Sequence, residues 1–403
     1  MKVSTASENP LPITPEMLQH IAVLVNPAAA NGRGAAFWSE IREQFQRSFP
    51  GRDTQVIVTE SREHSIELGA TLEADLIVSV SGDGTVHDIL QGLMRRKRDE
   101  RPVLAIVPIG SGNDIARGLG VPPKPAAAIV GLASGTVRTI DVGHVSFGGS
   151  NGGEDDGGGN GDEADGEADG DGNGEAGGDD NADDGNGADD NGVDGGEASR
   201  YFFNTLSFGV DAAIAIKTND LRKSRQHRGF FLYAEAAVGT VVRDLHAHTY
   251  DVTIDGARRQ RELLICAVQN GPYYGGGFKI APQANWRDGL LDVCMCGRVS
   301  PLPKALFYLM RIARGRHEGL PAITTCRART LGFDFREKIA VQCDGEMLVG
   351  LHYEVDVLSA AVDVLVPEAG VPAAPQAPAV PQAGVPAVPQ APTVPSPQPP
   401  AAQ

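Results

Sequence analysis

The sequence predicts an α/β fold joined to a β fold: an amino-terminal doubly wound α/β domain, then a mainly β, sandwich-like second domain. Two observations carry this reading. Over residues 20–140, short β-branched apolar runs alternate with helix-like segments, the grammar of a parallel sheet covered on both faces. After Ile140 the helical segments give way to strand–turn–strand patterns. A third observation, the charge distribution, separates the two domains from what surrounds them. The 403 residues carry 35 Lys+Arg and 52 Asp+Glu, a formal net charge of −17. Of those acids, 18 fall within residues 149–199, beside 18 glycines and no Lys or Arg. Residues 367–403 hold 12 of the 27 prolines and one charged residue, Glu368. The other 315 residues sum to about +2 and are long enough for two domains with substantial cores.

The elements follow in order. Residues 1–19 read as a flexible terminus without the charged start and apolar core of a signal peptide. Ile21 to Val25 is a buried strand, followed by Asn26-Pro27, the small-residue stretch AAANGRG and a helix through Ile41 and Phe45. Thr54 to Thr59 is a second strand with a polar helix to Leu72. Ala74 to Val80 leads into SGDGTVHDILQGL, and Pro102 to Pro108 into IGSGNDIARGLG. Beyond Ile140, IDVGHVSF and RYFFNTLSF flank the acidic segment like two strands of a hairpin, and residues 248–270 read as strand, Asp-Gly turn, strand. Residues 149–199 are expected to be a disordered acidic insert, residues 351–366 a return strand and residues 367–403 a disordered, polyproline-like tail.

Composition excludes several classes. No apolar run approaches the ~20 residues that cross a bilayer. A near-neutral body argues against general nucleic-acid binding. Cys266, Cys294, Cys296, Cys326 and Cys343 show no CxxC or Cys/His spacing, so they read as core or semi-buried thiols rather than disulfides or zinc ligands. Within the insert, Asp169, Asp171, Asn173, Gly174 and Asp180 match most of an EF-hand loop, but the Gly-rich flanks cannot form its two helices.

Three loops leave strands and enter helices: Asn26 to Gly34, Ser81 to Thr85 and Gly110 to Asp114. Glycines let the backbone approach an anion, and a helix amino-terminus offers N–H groups and a favourable dipole for phosphate. Three such loops in sequence could converge on one polyphosphate. Asp83, between Gly82 and Gly84, reads as too exposed and flexible to serve packing and could hold Mg2+ on phosphate oxygens; an Asx turn with Thr85 as helix cap is the structural alternative. There is no GxxxxGK[ST] and no HRD or DFG set, and the short glycine loops do not match GxGxxG, so P-loop ATPases and protein kinases are excluded.

SGDGTVHD (Ser81 to Asp88) resembles the GGDGT-x-N-E signature, and PIGSGNDIAR (Pro108 to Arg117) the P-x-GTGND-[FL]-AR signature, of the diacylglycerol kinase catalytic domain. That domain is shared by bacterial diacylglycerol and sphingoid-type lipid kinases. Asn26-Pro27 resembles the family's NPxxG loop, NTLSFGVDA (Asn204 to Ala212) its N-x-x-x-G-x-D-A segment, RDGLLDV (Arg287 to Val293) its DG-x-L-D segment and QCDGE (Gln342 to Glu346) its DGE motif. Thr59 matches its threonine after the second strand. The resemblance spans residues 20–366, with the motifs in family order.

The resemblance implies an ATP-dependent kinase that uses Mg2+ and phosphorylates a lipid hydroxyl, most simply diacylglycerol to phosphatidic acid. A sphingoid base or another hydroxyl lipid is the nearest alternative. An NAD kinase-like enzyme and a non-catalytic nucleotide- or lipid-binding module are the others. It places nucleotide on Asn26, Pro27, Thr59, Ser81, Gly82, Asp83, Gly84, Thr85, Val86, His87, Gly110, Ser111, Gly112, Asn113 and Asp114. It makes Asp344 the catalytic base, with Glu346 supporting Asp344 or its metal. Besides Asp83, it places a structural Mg2+ on Asp288 with the backbone of Asn285 and Leu290. Residues 20–140 are then the nucleotide-binding domain, and residues 141–148 with 200–350 the lipid-binding domain. Ser81, His87, Asp88 and Ser111 depart from the family's Gly, Asn, Glu and Thr. Ser81 is expected to add a side chain where the backbone nears phosphate.

The expected location is cytoplasmic and peripheral on an anionic membrane, where the acceptor lipid lies; a homodimer is compatible with the sequence. Residues 217–228 carry five basic residues and one acid and precede Phe230, Phe231 and Tyr233, a pattern suited to an anionic bilayer surface. Residues 305–317 are a second candidate, and Tyr273 to Phe278 a flexible wall beside the acceptor lipid. The insert's charge is expected to serve solubility alone or, on the sharper reading, to compete with the membrane for that basic surface.

Overall fold

The computed structural model describes residues 13–149, 198–210, 212–214 and 247–368. Residues 1–12, residues 150–197 of the acidic insert with the EF-hand-like stretch, Asp211, the basic-aromatic stretch 217–233 and the tail beyond 368 lie outside the described residues.

Four strands, β1 (His20–Val25), β2 (Asp53–Val58), β3 (Leu76–Ser81) and β4 (Val103–Pro108), pair in parallel in the order β2-β1-β3-β4. All six residues of β3 and of β4 are buried, as continuous apolar runs require, whereas β2 lies at the edge and is largely exposed. Alternate side chains serve two cores. Val23, Val78 and Ala105 meet Ile41, Phe45, Ile129 and Leu132 from α2 (Gly34–Ser48) and α6 (Pro125–Ala133). Leu24, Ile77 and Leu104 meet Val86, Ile89, Leu90 and Leu93 from α4 (Asp83–Met94). The helix α3 (Arg62–Thr71) packs so closely on α4 that a Cβ on Gly92 would lie 2.0 Å from the Ile66 carbonyl oxygen. The chain moves outward in one direction from β1 to β2 and in the other from β3 to β4. A crevice therefore opens between the carboxyl ends of β1 and β3, the switch point at which doubly wound sheets bind ligands.

Among the described residues the strands of the second half pair with one another antiparallel. It runs through β5 (Thr136–Gly148), β6 (Ala198–Phe202), β7 (Thr205–Gly209), β8 (His248–Ile254), β9 (Ala257–Gln269), β10 (Leu291–Gly297), β11 (Ile323–Ala328), β12 (Thr330–Asp334), β13 (Val341–Cys343), β14 (Glu346–Leu348) and β15 (His352–Val366). The expected pairing across the acidic insert is present, with Gly143 opposite Phe202 and Phe147 opposite Ala198. The expected Asp255-Gly256 hairpin joins β8 to β9. RYFFNTLSF is not one strand: it breaks after Phe202, because the amides of Phe203, Asn204 and Thr205 turn to donate to the Asp344 carboxylate. The interior is dominated by Phe208, Phe333, Phe335 and Tyr353, with Phe208 and Phe333 ring centroids 4.3 Å apart.

One strand unites the halves. β15 pairs with β12 along its first residues, with β5 along most of its length and with β4 in parallel at Val364 opposite Leu104. Between Leu358 and Val362 its register shifts, and Ala360 takes the left-handed conformation at φ 53°. Residue 140 thus lies inside β5, a strand that the two halves share.

Candidate active site

The first loop begins where β1 ends. The Asn26 side chain accepts from Ala28 N at 2.9 Å and donates to Thr85 Oγ1 at 2.7 Å, so the first and second glycine loops are fastened together. Thr85 lies within the first turn of α4 and not at its cap, which is Gly82; its hydroxyl serves Asn26 instead. Gly34 is required by proximity, since a Cβ there would lie 1.9 Å from the Asn26 carbonyl oxygen. Pro27 accepts from Gly34 N at 3.2 Å. Thr59 is buried at the end of β2, its amide and hydroxyl both directed at Val25 O.

The second and third loops touch through their glycines. A Cβ on Gly110 would lie 2.5 Å from Gly82 Cα. A Cβ on Gly84 would meet nothing within 4 Å, whereas Asn113 closes the third loop in the left-handed region at φ 55° and donates to Gly110 O at 2.7 Å. Gly112 and Ser111 are half-buried between them. Ser81 does not project toward this crevice: its hydroxyl is buried 2.6 Å from that of Ser79, because it is the last inward-facing residue of β3. Val86 likewise packs in the core, so only its main chain belongs to the loop.

Asp83 is not the exposed, flexible carboxylate expected from its glycine neighbours. Its two oxygens accept from Asp114 N at 3.0 Å and Ile115 N at 3.1 Å, capping the short helix α5 (Asp114–Gly118). Asp114 in turn accepts from Gly276 N at 2.6 Å and pairs with Arg117. Gly276 belongs to the loop Tyr273 to Phe278, which is therefore anchored on the third glycine loop; Arg117 and Lys279 both lie 5.7 Å from the Tyr273 ring centroid. Burial and the neighbouring Asp83 push the Asp114 carboxyl up to about 7, and burial raises Asp83 as well. A Cβ on Gly112 would lie 2.9 Å from Asp83 Oδ2 and 3.7 Å from Asp114 Oδ2, so both carboxylates face this glycine. Two crowded carboxylates with one nearby guanidinium are a hard-oxygen donor set that a divalent cation would neutralise. Among the described residues no cluster of three or more His, Cys, Asp or Glu is arranged to hold a metal.

Across the crevice stands the β13–β14 turn. Asp344 occupies its tip at φ 48° and accepts four contacts: Phe203 N at 2.7 Å, Asn204 N at 3.0 Å, Thr205 N at 2.8 Å and His87 Nδ1 at 3.3 Å. Gln342, itself bonded to Ser207, accepts from Gly345 N at 2.7 Å and steadies the turn. His87 is fully buried on α4, with Nε2 3.4 Å from Glu346 Oε2. It does not face the glycine loops, so the expected nucleotide contact is replaced by a contact with the Asp344 turn. Burial alone would lower its pKa; the hydrogen bonds to Asp344 and Glu346 outweigh this and raise it to about 10. Arg62, at the start of α3, pairs with both Glu346 and Asp88. Burial pushes Asp88 up to about 6, whereas His87 and Arg62 overcome burial at Glu346 and hold it near about 2. Sequence reasoning missed Arg62, which meets the turn more than 280 residues away, and Gln91, whose side chain bonds the Tyr201 main chain 110 residues away, because nothing local distinguishes either from a surface-type Arg or Gln.

The Asp288 group forms a separate cluster. Asp288 Oδ1 accepts from Leu290 N at 3.1 Å, Arg287 N lies 3.2 Å from Asn285 Oδ1, and burial raises the Asp288 carboxyl. The neighbouring Asp141 accepts from Gly289 N and Ala360 N, tying this loop to the β15 kink. Its oxygen donors are of the type Mg2+ takes.

Residues 20–145 match the diacylglycerol kinase catalytic domain, and residues 204–366 match the YegS C-terminal NAD kinase beta sandwich-like domain. Through residues 20–145 the chain carries a diacylglycerol kinase catalytic domain. It is a lipid kinase, a phosphotransferase. A diacylglycerol kinase of Mycobacterium tuberculosis (strain ATCC 25618 / H37Rv) is 27% identical over 355 residues, which cover 87% of this chain and 96% of that protein. A Pseudomonas aeruginosa protein named probable lipid kinase YegS-like is 26% identical over 304 residues, covering 75% and 80%. The crystal structure of a diacylglycerol kinase from Bacillus anthracis str. Sterne shares the fold at a TM-score of 0.57 and 19% identity, covering 88% of this chain and 99% of that one.

Proposed function

We propose that this lipid kinase transfers the γ-phosphate of ATP to the hydroxyl of diacylglycerol, with Mg2+ as cofactor. The observation that carries this is the juxtaposition of three interlocked glycine loops at the switch point with the Asp344 turn of the second domain. Main-chain N–H groups at the start of α4 and in the Gly110 to Asp114 loop receive the phosphates. Mg2+, when bound beside Asp83 and Asp114, supplies neutralising charge on phosphate oxygens; Asp288 with the Asn285 and Leu290 backbone would hold a second, structural ion. Phosphoryl transfer needs chiefly positioning and charge neutralisation, and both are supplied here by residues fixed through long-range hydrogen bonds.

Asp344 is the group that accepts the hydroxyl proton. Its three main-chain bonds and the His87 contact hold it in place, and Oδ2, which meets one main-chain N–H where Oδ1 meets two, is the oxygen that takes the proton. The lipid approaches from the second domain at an anionic membrane surface. There α7 (Leu302–Ala313) buries Ala305, Tyr308 and Ile312 and exposes Phe307 and Met310 beside Lys304 and Arg314.

The test uses labelled ATP, Mg2+ and mixed vesicles containing, separately, diacylglycerol, a sphingoid base and phosphatidylglycerol. Label in phosphatidic acid is expected; label in another lipid would reassign the acceptor, and label in NADP when NAD is supplied would move the chain to nucleotide phosphorylation. Asp344→Asn should lower kcat by about 10²- to 10⁴-fold, and a variant as fast as the wild type would remove Asp344 from the role of base.

A further inference from the structure

We propose that His87 is a positioning residue: it clamps the β13–β14 turn to α4 by bridging Asp344 and Glu346, and so sets where the Asp344 carboxylate stands. The inference rests on the kinase reading above for its consequence in catalysis, but the clamp itself is a property of the fold. His87 has no solvent exposure, and its two ring nitrogens lie 3.3 Å and 3.4 Å from two different carboxylates. A neutral imidazole has one N–H and would point a lone pair at one of those oxygens, whereas an imidazolium donates to both. The Gln91 amide nitrogen, which gives one N–H to Tyr201 O at 2.8 Å, also lies 3.3 Å from Nε2, so the competing state is a neutral ring protonated on Nδ1 that accepts the second Gln91 N–H. That state would leave the Glu346 carboxylate facing a bare nitrogen, whereas the imidazolium donates to both carboxylates.

The surrounding groups agree. Asp344 and Glu346 face His87 from the turn, Asp88 lies next to it on α4, and Arg62 approaches from α3 to meet Glu346 and Asp88. Three carboxylates then stand against one guanidinium, and a second cation among them reduces the excess. Because α4 also begins at Asp83 in the second glycine loop, the same helix that presents main-chain N–H groups to phosphate carries the clamp on the turn one helical turn later. The spacing between the phosphate site and the base is thus fixed through a single rigid element.

The experiment has two arms. In the first, histidine-labelled full-length protein is followed by ¹⁵N NMR, with the His87 signal assigned by its loss in His87→Asn. Two protonated ring nitrogens are expected at pH 8, where an ordinary histidine is neutral. If His87→Asn does not fold, Glu346→Gln supplies the assignment through the shifted signal. A single protonated nitrogen at pH 8 overturns the proposal whether or not the protein phosphorylates lipid. In the second arm, His87→Asn and His87→Gln are compared with the wild type for kcat, KM and pH profile. A merely structural loss would lower the amount of folded enzyme without changing the shape of the profile. The expected result is a fall in kcat of about 10²-fold at unchanged KM for ATP, with loss of the wild-type alkaline limb near pH 10. Unchanged kcat and profile in both variants overturns the clamp's catalytic role. A wild type that phosphorylates no lipid defeats the kinase reading instead, and the NMR arm then decides the clamp alone.

Discussion

His87 and Glu346 give the folded state opposite pH dependences. The His87 pKa of about 10 lies above its ordinary 6.5, so its contribution is complete below pH 6.5 and is lost as pH rises through about 10. The Glu346 pKa of about 2 lies below its ordinary 4.5, so its contribution is present above pH 4.5 and is lost as pH falls through about 2. Urea unfolding across this range should show stability declining on the alkaline side in the wild type and a weaker decline in His87→Asn; identical curves would contradict the assignment. The contact between Gly82 and Gly110 is the other residue-scale determinant. Gly110→Ala places a Cβ 2.5 Å from the Gly82 main chain, which cannot give way as a flexible side chain would. The two loops must part, so the KM for ATP should rise about tenfold or more while the far-ultraviolet circular dichroism stays native, a shift of about 1.4 kcal/mol in binding.

At the scale of elements, β15 is the decisive strand, and its kink is its weak point. Ala360 holds φ 53°, a conformation that costs a residue with a Cβ about 1–2 kcal/mol. The kink persists because Ala360 N donates to Asp141 and Ala360 O accepts from Arg98 Nε. Ala360→Gly should therefore stabilise the protein by about 1 kcal/mol, read as a higher thermal midpoint; an unchanged or lower midpoint would show that the kink is not strained. The parallel strands β1 to β4 and their Gly-rich turns were legible because apolar runs and glycine spacing are local signals. The break between β6 and β7 was not legible, because its cause is a carboxylate some 140 residues away.

Over the whole molecule, the charge that dominates the composition belongs to the insert, and the described body presents its exposed apolar residues in few places. α7 is the clearest of these, with Phe307 and Met310 exposed between basic side chains. Among the described residues no helix is long and apolar enough to cross a membrane. If this face docks on anionic bilayers, Phe307→Asp with Met310→Asp should weaken co-sedimentation with phosphatidylglycerol vesicles while leaving the thermal midpoint in place, since neither side chain is buried. Unchanged co-sedimentation would assign membrane contact to another surface.

By itself the sequence determined the alternation of strands and helices, the three glycine loops, the antiparallel second half and the kinase signatures that those loops contain. The tertiary structure decided what each polar side chain does within that frame. Ser81 turned inward to Ser79, Thr85 went to Asn26, Asp83 to the amides of α5, and His87 to a turn 257 positions along the chain. The physical reason is that backbone freedom and hydrophobic period are written over a few neighbouring residues, whereas a buried hydrogen bond is fixed by whichever donor and acceptor the folded chain brings within about 3 Å.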